Sequence, residues 1–154
     1  MGILVAAAFV LGYLESLIPF NIGIPGVKIG FANLAVVIAM SILGYKEAFE
    51  VGIVRVFLTG FTFGNMNSLM YSLAGSILSI FIMVIMHKSK RFSIVGISIA
   101  GGLAHNMGQL IVASIILETL DLKYYTGFLM VCGVITGLLI GIISTRVVLH
   151  LKKM

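Results

Sequence analysis

The sequence predicts an all-α membrane protein of six transmembrane helices, and three observations predict it. Hydrophobic residues make up 60% of the chain and charged residues 10%, against roughly 45–50% and about 25% in soluble domains. The apolar residues fall in long runs parted by short polar breaks, and a bilayer core of ~30 Å takes about 20 helical residues to cross. The basic residues collect at alternate breaks, as the positive-inside rule requires.

The first span is expected near Ile3 to Ile18. Its opening, MGILVAAAFVLGYLESLIPF, lacks a basic n-region and places Glu15 where a signal peptide would be uninterrupted, so it reads as a retained helix. Pro19, Gly23, Pro25 and Gly26 then form an irregular break before a short second span, Gly30 to Leu43. Its length suits a helix that is little tilted or that enters the membrane through the ordered segment before it. Gly44 separates it from the third span, Glu47 to Phe63, and Gly64 with Asn65 separates that from the fourth, Ser68 to Met86. The fifth and sixth run from Ser93 to Leu117 and from Thr126 to Leu149. No stretch is long or polar enough for a second domain, so residues 1–154 are expected to form one transmembrane domain.

Polarity follows from charge. With the N-terminus inside, the inner breaks hold Lys46, Lys88, Lys90, Arg91, Arg146, Lys152 and Lys153, seven of the 10 Lys and Arg residues. The outer breaks hold Lys28 and Lys123, with Glu118 and Asp121 beside the latter. Both termini are therefore expected in the cytoplasm. The net charge of +5 reflects this distribution and not a nucleic-acid partner.

Glycine is frequent, at 18 of 154 residues. Gly133, Gly137 and Gly141 in the last span, and Gly96, Ala100, Ala104 and Gly108 in the fifth, recur every four residues, which places small side chains on one face and lets helices approach closely in lipid. The first span offers Ala6, Ala7, Ala8 and Gly12. Ala8 and Gly12 form one such pair, for internal packing or for docking to a second membrane protein.

Polar groups inside a membrane are costly and face a bundle interior or a cavity. At about 1.5 Å per residue from each cytoplasmic end, Arg55 falls near mid-membrane, Glu15 and His105 lie roughly two-thirds of the way out, and Gln109 lies about one turn further. Lys28 and Asn33 flank the outer mouth of the second span, and Asn65, Asn67 and Tyr71 flank that of the fourth. Within AGGLAHNMGQL, His105 and Gln109 share a face and Asn106 sits ~100° around, so all three could line one cavity wall. Glu15, Lys28, Asn33, Arg55, Asn65, Tyr71, His105, Asn106 and Gln109 are thus the expected binding residues, for an anionic or polar small molecule. Glu15 and Arg55 could equally form a buried ion pair with a structural role.

Other chemistry lacks its residues. Asp121 is the one aspartate, so no pair of aspartate-rich motifs can hold magnesium on a diphosphate. There is no GxxxxGK[ST] phosphate loop. His87, His105 and His150 are too scattered to share a metal, and Cys132 stands alone in an apolar run. Nothing places a nucleophile beside a base. No enzyme activity, cofactor or metal is expected.

The segments LESLIPF, PGVKIGFANL, Arg55 ahead of TGFTFG, MYSLAGSILSIFIM and SIAGGLAHNMGQL resemble the bacterial membrane family named heptaprenyl diphosphate synthase component I, also called the Gx transporter family. The likeness covers nearly the whole chain. That family is similar to the substrate-binding S-components of energy-coupling factor (ECF) vitamin transporters. The resemblance implies an S-component-like bundle in the cell membrane, with an outward site capped by Asn21 to Gly30, including Lys28. It also implies that Ala6, Ala7, Ala8 and Gly12 dock to an ECF-type transmembrane subunit driven by two ATPases. The ligand would then be vitamin-like or an isoprenoid precursor. The family's name implies the alternative of a non-catalytic membrane component beside a soluble prenyl transferase in polyprenyl diphosphate synthesis.

Overall fold

A computed structural model describes residues 1–17, 30–117 and 123–153, and of Lys123 and Tyr124 the backbone alone. The described residues form six helices: α1 (Gly2–Leu17), α2 (Asn33–Ile42), α3 (Tyr45–Phe63), α4 (Met66–Lys88), α5 (Ile94–Ile116) and α6 (Lys123–Leu151). Each coincides with an expected span to within a few residues, and local chemistry accounts for the differences. The second span was expected from Gly30, but Gly30 sits at φ +97°, in the left-handed region, so the helix starts at Asn33. The fourth was expected from Ser68 but starts at Met66. There the Asn65 side chain accepts a hydrogen bond from the Ser68 amide (2.8 Å) and caps the helix. Ser93 caps α5 in the same way through the Gly96 amide (3.2 Å).

Three helices are long and apolar enough to cross a membrane, Met66–Lys88, Ile94–Ile116 and Tyr125–Leu151, while α1 and α2 are shorter apolar helices. The outer surface is rich in bare hydrocarbon: Ile3, Phe61 and Ile115 are 70–85% exposed, and Val131, Val134, Ile135, Leu138 and Leu139 line the outside of α6. The interior combines an apolar core with the buried polar residues Glu15, Arg55, His105, Asn106, Gln109 and a set of serines. Bare hydrocarbon outside with charged and amide groups kept inside fits lipid as the solvent.

α5 is central because it has small residues on two faces. Toward α6, a Cβ on Gly102 would lie 2.5 Å from the Gly133 carbonyl, one on Gly137 would lie 2.6 Å from the Ile99 Cα, and one on Gly141 2.7 Å from the Val95 Cα. Toward α4, one on Gly108 would meet the Ala74 carbonyl at 2.7 Å, and one on Gly75 the His105 carbonyl at 2.8 Å. These contacts admit glycine alone. The Gly133, Gly137 and Gly141 face of α6 meets Val95, Ser98, Ile99 and Gly102 of α5, while Gly108 turns to α4.

α2 spans only about 15 Å and is wrapped by α1, α3, α5 and α6. Ala35 to Met40 are buried in succession, and all of them except Ile38 join Ala8, Ala48, Val51, Ile80, Met83, Ile97 and Ile140 in the main core. A smaller core of Tyr71, Leu110, Ala113 and Leu129 lies toward the other end of α4, α5 and α6.

The two ends of the bundle differ in charge. The start of α3 meets the end of α4, where Tyr45 Oη lies 3.0 Å from His87 Nδ1 and Lys88 Nζ sits 5.6 Å from the Tyr45 ring centre. With the start of α5 and the end of α6, this end collects Lys46, Lys88, Lys90, Arg91, Arg146, Lys152 and Lys153. Among the described side chains, the opposite end carries no Lys or Arg.

Candidate functional site

The start of α2 is where the polar groups meet. Gly30 precedes it, with its carbonyl accepting from the Asn33 amide at 2.9 Å, and its own amide donates to Glu15 Oε1 near the end of α1. Asn33 in turn accepts from Arg55 Nη2 at 2.8 Å, and the same Nη2 donates to Ser76 Oγ on α4 at 2.9 Å. On α3, Thr59 Oγ1 donates to the Arg55 carbonyl at 2.8 Å, so its hydroxyl is satisfied within the helix. From α5, the His105 ring closes on Gly30 and Gly75: a Cβ at Gly30 would come within 3.3 Å of it, and one at Gly75 within 2.9 Å. Five helices thus contribute to one cluster.

The cluster is buried and carries both signs of charge. Glu15, Asn33, Arg55, Ser76 and His105 are all under 8% exposed. The Glu15 carboxylate acts electrostatically on the Arg55 guanidinium, and a charge of this kind is held away from water only with such compensation. Arg55 Nε has no hydrogen-bond partner among the described residues, and neither do Ser72 Oγ and Ser79 Oγ. The guanidinium, a helix-start amide, a carboxamide and an imidazole suit a small polar or anionic group.

The expected residues divide. Glu15, Asn33, Arg55 and His105 come together. Lys28 lies outside the described residues, as does Asn21 to Ile29 of the expected cap. Gln109 is buried one turn beyond His105 on the same helix. Asn106 turns away from them, because its Nδ2 donates to the Leu129 carbonyl on α6 at 2.5 Å and lies against Gly133. The idea of one wall formed by His105, Asn106 and Gln109 is thereby corrected: Asn106 ties α5 to α6. Tyr71 is packed in the smaller core and not at a mouth. Asn65 is exposed and serves as the α4 cap, and it also lines a shallow groove of about 190 Å³ with Gly60, Phe61, Gly64, Met66 and Leu69.

The first helix also divides. Ala6 and Ala7 are exposed, whereas Ala8 is in the main core and Gly12 is pressed on α3, where a Cβ would stand 2.5 Å from Thr59 Cγ2. Ala8 and Gly12 therefore do not present a docking face in this structure; they are used up by internal packing.

Ser76, Gly30 and Gly75 were not singled out from the sequence. Ser68, Ser72 and Ser76 recur every four residues in the apolar α4, with Ser79 three further on, and all four are buried. That spacing is the signal which would have found the face that α4 turns to Arg55.

The sequence model of the family described as heptaprenyl diphosphate synthase component I matches residues 4–147. No curated protein matches the chain, and no solved structure does.

Proposed function

We propose a function from the premise that the chain belongs to the heptaprenyl diphosphate synthase component I family: it is a membrane substrate-binding subunit that captures an anionic or amphipathic small molecule. The reading takes the chain as one domain of six spans with both termini cytoplasmic. The concentration of described basic residues at one end supports that polarity. On this polarity the Glu15, Asn33, Arg55, Ser76 and His105 cluster lies in the outer half, where a ligand would enter. The observation that carries the proposal is the convergence of five helices on one buried guanidinium and one buried carboxylate. Helix association in lipid requires far less, since hydrogen bonds there contribute only about 0.6–2 kcal/mol each.

Release inward would need a partner, and an ECF-type transmembrane subunit with its ATPases is the one this reading names. With Ala8 and Gly12 buried, docking on α1 would fall to Ala6 and Ala7 and their exposed neighbours. The test is native mass spectrometry of the protein after gentle purification, for wild type and Arg55→Gln. A small anionic species carried by the folded wild type and lost from the folded variant is the expected result. A wild type that carries no ligand and pulls down no transport partner would end the proposal.

The family's description favours a second reading, a non-catalytic membrane component working with a soluble prenyl transferase in heptaprenyl diphosphate synthesis. It predicts co-purification with that transferase and uptake that does not depend on this chain.

A further inference from the structure

We propose that the Gly30 amide, Asn33 and Arg55 form an oxyanion-binding site that the chain's own Glu15 carboxylate occupies in this structure, and that the phosphate or carboxylate of a ligand displaces it. The inference rests on the capture function above and assigns the part of the ligand that the cluster recognises.

The argument is one of donors. Arginine has no acceptor atom, so the Asn33 atom that faces Arg55 Nη2 at 2.8 Å must be the carboxamide oxygen. The Asn33 NH2 is then turned the other way, and it lies 3.1 Å from where a Cβ on Gly30 would stand. The Gly30 amide, placed just ahead of the first turn of α2, already donates to a carboxylate. Arg55 adds a full positive charge. Its Nη2 reaches two neutral acceptors, and its Nε has no partner among the described residues although the side chain is 96% buried, being 4% exposed. Backbone N–H, carboxamide NH2 and guanidinium thus gather in one place.

Gly30 keeps the place open. Any side chain there would be strained at φ +97° and would stand 3.3 Å from the His105 ring as well as against Asn33. The present occupant is tethered and monovalent. Glu15 lies two residues before the last residue of α1, so its departure would free the end of that helix. A diphosphate or carboxylate brings the same oxygens without that tether, and like charge opposes its sharing the place with the Glu15 carboxylate.

Removing the charge of the internal competitor should therefore strengthen binding. The probes are inorganic diphosphate and benzoate, titrated separately so that phosphate and carboxylate recognition are told apart. Each is titrated by calorimetry into detergent-purified wild type, Glu15→Gln, Arg55→Gln and the control Glu50→Gln, whose carboxylate faces Lys46 at the basic end. Glu15→Gln, which keeps an acceptor for Gly30, is expected to bind at least one probe tenfold or more tighter than wild type. Glu50→Gln should match wild type, and Arg55→Gln should not bind. A spin label on Ser16→Cys, in a Cys132→Ser background, should gain mobility when the probe binds. Glu15→Gln binding that is equal or weaker, or a label that stays still during binding, would overturn the displacement and leave the capture function intact if binding still needs Arg55. Absence of binding to every variant would overturn both.

Discussion

Arg55 of α3 hydrogen-bonds Asn33, the first residue of α2, at 2.8 Å, with both side chains inside the bundle. The bond links the shortest helix to one of its neighbours through a charged donor, and the Ser76 hydroxyl shares the same Nη2. Hydrogen bonds to charged groups contribute about 1.5–3 kcal/mol. Ser76→Ala should lower stability by about that much, and Asn33→Leu by more. Denaturant unfolding in mixed micelles measures both. Equal losses from the two variants would contradict the geometry, since Asn33 also faces Gly30 and Ser76 does not.

Arg55→Ala should be more damaging still, because it removes a buried positive charge that interacts electrostatically with the buried Glu15 carboxylate. Breaking a buried pair in this way costs about 3–5 kcal/mol. The expected outcome is poor yield of folded protein, and Glu15→Gln in the same chain should recover part of it. Size-exclusion profiles of the single and double variants report this directly.

The α5–α6 seam gives a sharp contrast between glycines. At Gly137 an added methyl meets the Ile99 Cα at 2.6 Å, and backbone on both sides cannot yield. At Gly127 nothing lies within 4 Å. Gly137→Ala should lose about 1–3 kcal/mol through overpacking, while Gly127→Ala should be neutral or gain up to about 1 kcal/mol from helix propensity. Thermal unfolding of the pair decides it.

Gly12 packs on a side chain instead of backbone, which makes its defect repairable. Gly12→Ala places a methyl 2.5 Å from Thr59 Cγ2. Thr59→Ser removes that methyl and keeps the hydroxyl that bonds the Arg55 carbonyl. The double variant should be more stable than Gly12→Ala alone, and a double-mutant cycle should show coupling of about 0.5–3 kcal/mol. Additive effects would mean that α1 does not rest on α3 at this point.

Gly30 and Gly44 both have positive φ, at +97° and +132°, but only Gly30 touches the cluster. Alanine at either should cost about 1–3 kcal/mol of strain. Only Gly30→Ala should also abolish retention of the co-purifying ligand in native mass spectra. Loss of ligand from folded Gly44→Ala would move the site to the other end.

How far the sequence reaches is clear from particular residues. Residues 94–116 were recognisable as a helix because the run is long, mostly apolar and free of Lys, Arg, Asp and Glu, and the depth of Arg55, His105 and Glu15 could be counted at a fixed rise per residue. Those are one-dimensional facts, set by the cost of unpaired backbone groups in lipid and by local capping. That Glu15, Asn33, Arg55 and His105 meet followed from polar groups having to avoid lipid, so their gathering was also foreseeable. Which neighbour each one faces was not. His105 and Asn106 are consecutive and both buried, yet one turns to Gly30 and Gly75 and the other to Leu129. Ala8 and Gly12 allowed both internal packing and a docking face, and they sit in the core and on Thr59. In a membrane the outer surface is as apolar as the core, so hydrophobic pattern does not separate lipid-facing from helix-facing positions. Only the packing of α1 on α3 and of α5 between α4 and α6, where backbones touch at glycine, decided those directions.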